Sequence, residues 1–573
     1  MSDPLEKPAP EGFKKVTEGK ATILFPDTNE VFYNPIQEFN RDISIAAIRT
    51  WDELNREEIK AKEDAKRARK ESAIAAKKAK KEAVELASTE TTAATTTTTS
   101  ATAAPTTTEP AEAPMEIEPA QETTAQGITI LEALSASGLR SIRYAREIPN
   151  VRHILTNDLE ADAVASIRRN AEFNDIPESL LTPNKGDAID VLYMHRQPEK
   201  RYDVIDLDPY GTASPFIDGA VQAVSDGGLL CVTCTDLAVL AGSNYTETCF
   251  SKYGGLPLKA EFCHEMALRL VLQTLQTSAA RYKRYIKPLV SLSIDYYLRV
   301  FVRVFTSPAE VKRSASKISM AYSCSGCHTY YTNPLGKITQ SAKGNIKFGV
   351  NIAPPIQEHC DFCGSKFHVG GPMWGKELHD KDFIQRMLNH VRPESAKSLY
   401  KTHTRILGML TVCKEELDVP FYHTVSSLSS TLHCTSPSLT QLNSAILHKG
   451  YKVSGSHACQ GSIKTDAPPG VIWDIMRSWI KLNPVKNIKE GAPAAKILAV
   501  EVKEGEEASF EMHPEARSES RKGGYVRYQV NPEKNWGPQA RAGNNKRKGD
   551  FKHDKNLKAK TEQTEQAEQT EQT

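Results

Sequence analysis

The sequence predicts an α/β protein built on a doubly wound, mostly parallel, Rossmann-like sheet, followed by a smaller α+β region that bears cysteines. Three observations predict it. Between residues 127 and 305, short apolar runs alternate with segments of helical period, the rhythm of βαβ units. Small and acidic residues sit at the ends of those runs, where open sheets bind ligands. Past residue 315 that rhythm gives way to paired cysteines in loop-rich sequence.

Taken in order, KATILFP (20–26) alternates like a strand and EFNRDISIAAIR (38–49) has helical spacing. Residues 52–86, with eleven basic and nine acidic residues among alanines, predict a charged helix. Residues 88–126 carry six glutamates, no Lys or Arg, and a Thr/Ala-rich run that cannot bury enough apolar surface to order itself. ITILEAL (128–134) is a strand, ASGLRSIRYARE a helix start, HILTNDL a strand and EADAVASIRRNAEFN a helix. A loop with GDAID follows, then YDVIDLDPYG as a strand, PFIDGAVQAVS as a helix and GGLLCVTCTD as a strand. KPLVSLSIDYYLRVFVRVF (287–305) supplies one or two strands at the sheet's other edge, and 437–476 reads as helix, turn, hairpin, helix, a winged-helix-like order. The expected division is 1–55 as the N-terminal part of the sheet domain, 56–126 as a disordered insertion and 127–315 as the rest of the sheet domain. Residues 316–490 follow as a zinc-containing C-terminal domain, and 491–573 as a basic, mostly disordered tail.

Composition narrows the function classes. The net charge of +2 conceals a segment, 521–560, with twelve basic residues against three acids, which suits a polyanionic partner as well as a solvated tail. No run approaches the roughly 18 apolar residues of a membrane span. MSDPLEKPAPEGF has neither a signal core nor a presequence-like pattern, and eleven cysteines in so long a chain do not make a disulfide framework, so an intracellular protein is expected. KKAKK (77–81) reads either as a nuclear-import signal or as a solvated helix face. The nucleus is the expected compartment, with a mitochondrial pool left open.

Four stretches mark a candidate site. In LSASGLR (134–140), the small residues let a backbone turn approach a ligand, but one glycine alone does not make a dinucleotide fingerprint. Asp158, at a strand end, suits the two hydroxyls of a ribose, and serves equally well as a helix cap. Asp187 and Ala188, in GDA, offer a carboxylate and a backbone N–H that match the edge of adenine. A cofactor with adenosine and no pyrophosphate fits these three: S-adenosylmethionine. The fourth stretch, VIDLDPYG (204–211), puts Asp208 and Tyr210 above the sheet. There Asp208 can accept hydrogen bonds from an exocyclic amine and later take its proton, while Tyr210 stacks on the base and Gly211 leaves room for it. A capped turn is the plainer reading.

CSGC (324–327) and CDFC (360–363), 32 residues apart, predict that Cys324, Cys327, Cys360 and Cys363 hold a structural Zn²⁺, with a redox pair as the alternative. CVTC (231–234) is not a second such site, since residues three apart on a strand face opposite ways. HEMALR (264–269) lacks the second histidine of a zinc-protease helix and reads as structural.

With those residues in view, VFYNPIQEFNRD (31–42), LEALSASGLRSIRYA (131–145), VIDLDPYG, CTDLAVLAG (234–242) and CHEMALRLVL (263–272) resemble the tRNA guanine-26 N2-dimethyltransferases of eukaryotes and archaea. The resemblance covers about 20–50 and 127–480, plus NPEKNWGPQAR at 531–541. It implies a class I S-adenosylmethionine-dependent methyltransferase fold and N2-methyl- and N2,N2-dimethylguanosine in tRNA as products. It also implies cofactor contacts from Arg41, Arg140, Asp158, Asp187 and Ala188, Asp208 as general base, Phe32 and Tyr210 as aromatic walls, and tRNA held by the zinc-bearing part and the basic tail. The insertion at 56–126 departs from the pattern. Two other readings stay open: an amino methyltransferase on another nucleic acid or protein, and a catalytically silent RNA-binding protein. The oligomeric state is not predicted.

Overall fold

The computed structural model describes residues 7–27, 33–89, 127–353, 357–485 and 488–526, without the side chains of 77–89. The low-complexity run from 90 to 126, the side chains of KKAKK, Phe32, and the chain beyond 526, with most of the basic segment and NPEKNWGPQAR, lie outside the described residues. Residues 1–50 and 128–573 make one compact unit and residues 51–127 a second.

The chain begins with an antiparallel hairpin, β1 (Phe13–Glu18) and β2 (Ala21–Pro26). Helix α1 (Glu38–Thr89) follows, longer than the 52–86 expected from charge pattern, so the insertion starts as helix before its low-complexity run. The first turns of α1 bury Phe39, Ile43, Ala46 and Ala47. Beyond residue 56 the described side chains are almost all exposed, as an alanine- and charge-rich helix without an apolar stripe requires.

The βαβ series is then β3 (Ile128–Glu132), α2 (Leu139–Glu147), β4 (Val151–Asp158), α3 (Ala161–Phe173), β5 (Leu181–Lys185), α4 (Ala188–Met194), β6 (Tyr202–Leu207), α5 (Ser214–Ala223) and β7 (Val224–Cys234). The third strand region expected to end at GDA is β5, and GDAID, read as a loop, passes into helix α4 at Ala188. LTPNK carries almost no strand signal because β5 is the sheet's edge, where Pro183 costs no ladder hydrogen bond. Short helices α6 (Leu237–Leu240) and α7 (Thr246–Tyr253) and the long α8 (Cys263–Arg281) lead to β8 (Arg284–Ile294) and β9 (Tyr297–Thr306).

The seven strands lie in the order β5-β4-β3-β6-β7-β9-β8. β9 is antiparallel to both of its neighbours, so β8 runs with the parallel set and β9 returns into the gap beside β7. Strands covered on both faces need near-continuous apolar sequence, which explains the buried runs in β6, β7 and β9. The hairpin docks on α3 through two asparagines one turn apart: Thr22 N–H donates to Asn174 Oδ1 (3.0 Å) and Leu24 N–H to Asn170 Oδ1 (2.9 Å). These bonds satisfy the free edge of β2.

Beyond β9 a three-stranded sheet (Tyr330–Pro334, Ile318–Cys324, Phe367–Trp374) packs against α8. The order helix, hairpin, helix expected over 437–476 is found as Leu439–His448, Val453–Ser456 with Cys459–Thr465, and Pro469–Leu482. This region shares the core of the seven-stranded sheet. Phe421 stacks on Phe262 at 4.0 Å, and Lys464 Nζ, fully buried, bonds Glu265 of α8 (2.8 Å) and Glu416 (2.9 Å). Among the described residues no helix is long and apolar enough to cross a membrane.

Candidate active site

A cleft of about 360 Å³ opens at the carboxyl ends of β3, β4, β5 and β6, a size suited to a small organic cofactor. Its lining brings together Arg41, Arg140, Asp158, Asp187, Ala188, Asp208 and Tyr210. Phe32 is outside the described residues, and its neighbour Tyr33 lines the cleft, its hydroxyl donating to Glu18 at 3.3 Å.

The turn after β3 is shaped by two left-handed residues, Ala136 (φ 49°) and Gly138 (φ 75°). A Cβ at Gly138 would also stand 3.2–3.4 Å from Ile167, so this turn needs glycine both for its dihedral and for the approach of α3. Asp158 fastens the turn: one oxygen accepts the Ala136 N–H (2.8 Å), the other the Glu160 N–H (3.0 Å). Asp187 caps α4 by accepting the Ile189 N–H at 2.7 Å. Asp187 is thus a helix cap, whereas α3 starts from Glu160 without a side-chain cap, so Asp158 braces the turn and not the helix; both line the cleft. Gly211 takes a φ of 88° in the turn after Asp208, and no protein atom stands within 4 Å of where its Cβ would be. That turn is pinned to the end of β7, since Gly211 N–H donates to Thr235 Oγ1 (2.7 Å) and Thr235 N–H to Gly211 O (2.8 Å).

Arg41 sits at the rim with its guanidinium laid on Glu18 (2.6 Å from Nε to Oε1) and also donating to Asn34 O. Arg140 lies on the floor, 4% exposed, bonded to Asp208 Oδ2 and near Glu132 (3.6 Å) and Asp206 (3.8 Å). Asp208 Oδ1 is buried and has no hydrogen-bond partner among the described residues. Tyr210 is 52% exposed at the mouth.

Three buried groups under the cleft were not picked out from sequence. Glu132 ends β3, and burial pushes its carboxyl up to about 8 against the pull of Arg140 and the Ser141 hydrogen bonds. Asp206 lies on β6 and Arg299 on β9. The available signal was the same for each: a charged residue inside an otherwise apolar strand.

Away from the cleft, Cys324, Cys327, Cys360 and Cys363 converge, all buried, with Sγ–Sγ distances of 3.3 Å (Cys324–Cys363) and 3.6 Å (Cys327–Cys360). A tetrahedral zinc with Zn–S bonds of about 2.3 Å asks for Sγ–Sγ separations of roughly 3.8 Å, so the set fits a metal ion after a few tenths of an ångström of expansion. The thiols pack in an apolar cluster with Leu432, Ile463 and Trp473, which suits a structural site with no open position for chemistry. A second group, His379, Cys413 and His457, is also buried. There the nitrogens of His457 are taken, Nδ1 by Glu416 (2.8 Å) and Nε2 by the Ser293 N–H (3.2 Å), so a structural network explains it. Purified protein is therefore expected to carry about one zinc per chain by elemental analysis, and Cys360→Ser close to none. Full zinc content in that variant would remove these thiols as ligands. Cys231 and Cys234 are both buried in β7, and burial lifts both thiols, Cys234 to about 12, as expected of core residues.

A family model described as "N2,N2-dimethylguanosine tRNA methyltransferase" matches residues 12–477. The Mus musculus "tRNA (guanine(26)-N(2))-dimethyltransferase" is 48% identical over 540 residues, 94% of this chain and 78% of that protein. The Schizosaccharomyces pombe protein of the same name is 46% identical over 535 residues, 92% of each chain. A solved Trm1 structure from Pyrococcus horikoshii with S-adenosyl-L-methionine superposes with a TM-score of 0.58 at 23% identity, covering 80% of this chain and 98% of that one, and so shares the fold. The strand order, the cleft at the strand ends and these matches agree: the chain belongs to the N2,N2-dimethylguanosine tRNA methyltransferase family.

Proposed function

We propose that this chain transfers methyl groups from S-adenosylmethionine to the exocyclic N2 of guanine-26 in tRNA, giving N2-methyl- and N2,N2-dimethylguanosine. The observation that carries this reading is Asp208, with one oxygen held by Arg140 and the other buried at the cleft floor without a partner among the described residues. The cofactor, when bound, supplies an electrophilic methyl group on sulfonium. An exocyclic guanine nitrogen is a poor nucleophile because its lone pair is delocalised into the ring. Asp208 Oδ1 accepts an N2–H hydrogen bond, which turns the lone pair away from the carboxylate, and takes the proton as N2 gains positive charge. Tyr210 at the mouth, with Phe32 as the second proposed aromatic wall, stacks on a base drawn out of the tRNA, a contact of about 1–3 kcal/mol.

The residues around the cleft fit the cofactor. Asp158 is assigned the ribose hydroxyls, Asp187 and the Ala188 N–H the adenine edge, and Arg41 and Arg140 the methionine end. The zinc-bearing region and the basic tail are assigned to the tRNA backbone, and the nucleus as the main compartment. A mitochondrial pool is also proposed, since the Saccharomyces cerevisiae relative carries "mitochondrial" in its name. Purified protein incubated with S-adenosylmethionine and unmodified tRNA, then digested to nucleosides, should yield dimethylguanosine by mass spectrometry. Cofactor-binding protein that yields no methylated guanosine would overturn the reading. Asp158→Asn is expected to raise the cofactor Kd by at least about tenfold, about 1.4 kcal/mol, in calorimetry. An unchanged Kd would leave Asp158 as a brace of the turn only.

A further inference from the structure

Two aspartates stand in VIDLDPYG, and the reaction uses one. The other, Asp206, is fully buried, so it cannot meet a substrate. In the sheet register Asp206 pairs with Cys231, and Thr233 with Arg299, two residues further along β7; these four side chains therefore share one face. Arg299, itself 0% exposed, reaches across β7 and takes both oxygens of Asp206: Nη1 donates to Oδ1 at 2.9 Å and Nη2 to Oδ2 at 2.7 Å. The Tyr144 hydroxyl donates to Oδ2 as well. Arg299 also donates to Thr233 Oγ1 (2.9 Å) and Ser44 Oγ (2.8 Å), so its plane is fixed from three elements.

Arg140 is the next cation along. Its Nη1 stands 3.8 Å from Asp206 Oδ2, too far for a hydrogen bond, while its Nη2 bonds Asp208. Asp206 thus lies between two guanidiniums and is satisfied by one of them. Burial works to raise the Asp206 pKa, and Arg299 followed by Arg140 outweighs it and holds it below the ordinary range, so its charge persists.

We propose that Arg299, acting through Asp206, is a positioning residue for methyl transfer. By occupying both oxygens of Asp206 it leaves Arg140 to hold Asp208 with one oxygen turned toward the substrate amine. This rests on the reading of Asp208 as the base. Without Arg299, the buried Asp206 charge draws Arg140 to itself, and Asp208 loses both its orientation and its cationic neighbour. The other titratable or charged groups facing Asp206 are Tyr144 and Arg140 from α2, Cys231 from β7 and Glu132 from β3. Those facing Asp208 are Arg140, Tyr297 from β9 and Cys234 from β7. None except Arg140 can replace the lost cation at Asp206.

The test is the single-turnover rate of methyl transfer against pH at saturating cofactor and tRNA, for wild type, Asp208→Asn, Arg299→Lys, Arg299→Gln and Tyr144→Phe, with cofactor Kd and melting temperature alongside. In Arg299→Gln the acid limb of the profile is expected to move up by about one pH unit, the usual effect of losing an adjacent opposite charge. The plateau, read at saturating cofactor so that a change in Arg140's hold on the methionine end does not enter it, should fall about tenfold, and Arg299→Lys should recover part of the fall and of the limb shift. Tyr144→Phe removes a single donor from Asp206 and should move the limb the same way by a few tenths of a unit; it decides the matter if the Arg299 variants do not fold. A lower melting temperature or plateau with the limb unmoved, in variants that fold, would overturn the inference and reduce Arg299 to a structural residue. If wild type makes no methylguanosine, or Asp208→Asn is undiminished, the reading of Asp208 fails first and takes this one with it. An active wild type, an inactive Asp208→Asn and an unmoved limb sink the inference alone.

Discussion

Asp208→Asn is expected to lower the single-turnover rate by about 10²–10⁴-fold, the range that a positioned general base contributes. The amide is nearly isosteric and can keep its place in the turn before Pro209. It cannot take a proton, and one of its two polar atoms becomes a donor. Arg140 then faces an amide where it had a carboxylate. The change is confined to the floor of the cleft, so cofactor affinity measured by calorimetry should stay within a few-fold of wild type. Loss of activity together with loss of cofactor binding would point to a collapsed site and not to a missing base. Full activity would exclude Asp208 from the proton transfer.

Arg143→Met is expected to cost about 3–5 kcal/mol in stability, the usual penalty for removing one partner of a buried ion pair. Arg143 is fully buried on α2 and is the junction of three elements. Nη1 stands 2.7 Å from Glu18 of β1 and 2.7 Å from Asp42 of α1, and Nη2 bonds Glu147 at 2.9 Å. Removing it leaves three buried carboxylates, of which Glu18 alone keeps an arginine, Arg41. Methionine fills much of the volume, which isolates the electrostatic loss from a cavity.

The same cluster gives an acid dependence with a definite sign. Burial works to raise the Glu18 pKa, but Arg41 and Arg143 together hold it down at about 2. Its contribution is complete above the unfolded value of about 4.5 and is lost as pH falls from there toward 2. Glu147 runs the other way, since burial lifts its pKa above the ordinary value in spite of Arg143, and it offsets part of the loss. Urea unfolding of wild type and Arg143→Met at pH 7 and near pH 3 measures both effects. A difference below about 1 kcal/mol at pH 7 would show that the cluster is not holding the N-terminal hairpin and α1 to the sheet domain.

How much of this was legible beforehand follows from how local each cause is. The βαβ series could be read because a strand's apolar run and a helix's 3.6-residue period are properties of a dozen neighbouring residues. Asp158 and Asp208 could be picked out because a carboxylate at the close of an apolar run stands at a strand's carboxyl end whatever the tertiary structure, and Asp187 by its place in Gly-Asp-Ala after the third strand region. The four zinc-type thiols could be paired because each C-x₂-C knuckle is a local turn, and only their convergence needed the fold. Helix α4 was missed, and β5 was placed only by its end at GDA, because an edge strand, with one side unpaired, places little demand on its sequence.

The sequence by itself determined the fold class, the cleft's acidic residues and the thiol set, because these depend on side-chain period and spacing along the chain. The tertiary structure alone decided which charges are partners. Arg299 and Asp206 are separated by 93 residues, Arg143 and Glu18 by 125, and Lys464 and Glu265 by 199. A buried charge in an apolar strand announces that a partner must exist, since leaving it unpaired would cost several kcal/mol, but not which residue it is. That choice is made by strand order. β9 folds back between β7 and β8, and so brings Arg299 within reach of the aspartate beneath the turn that carries Asp208.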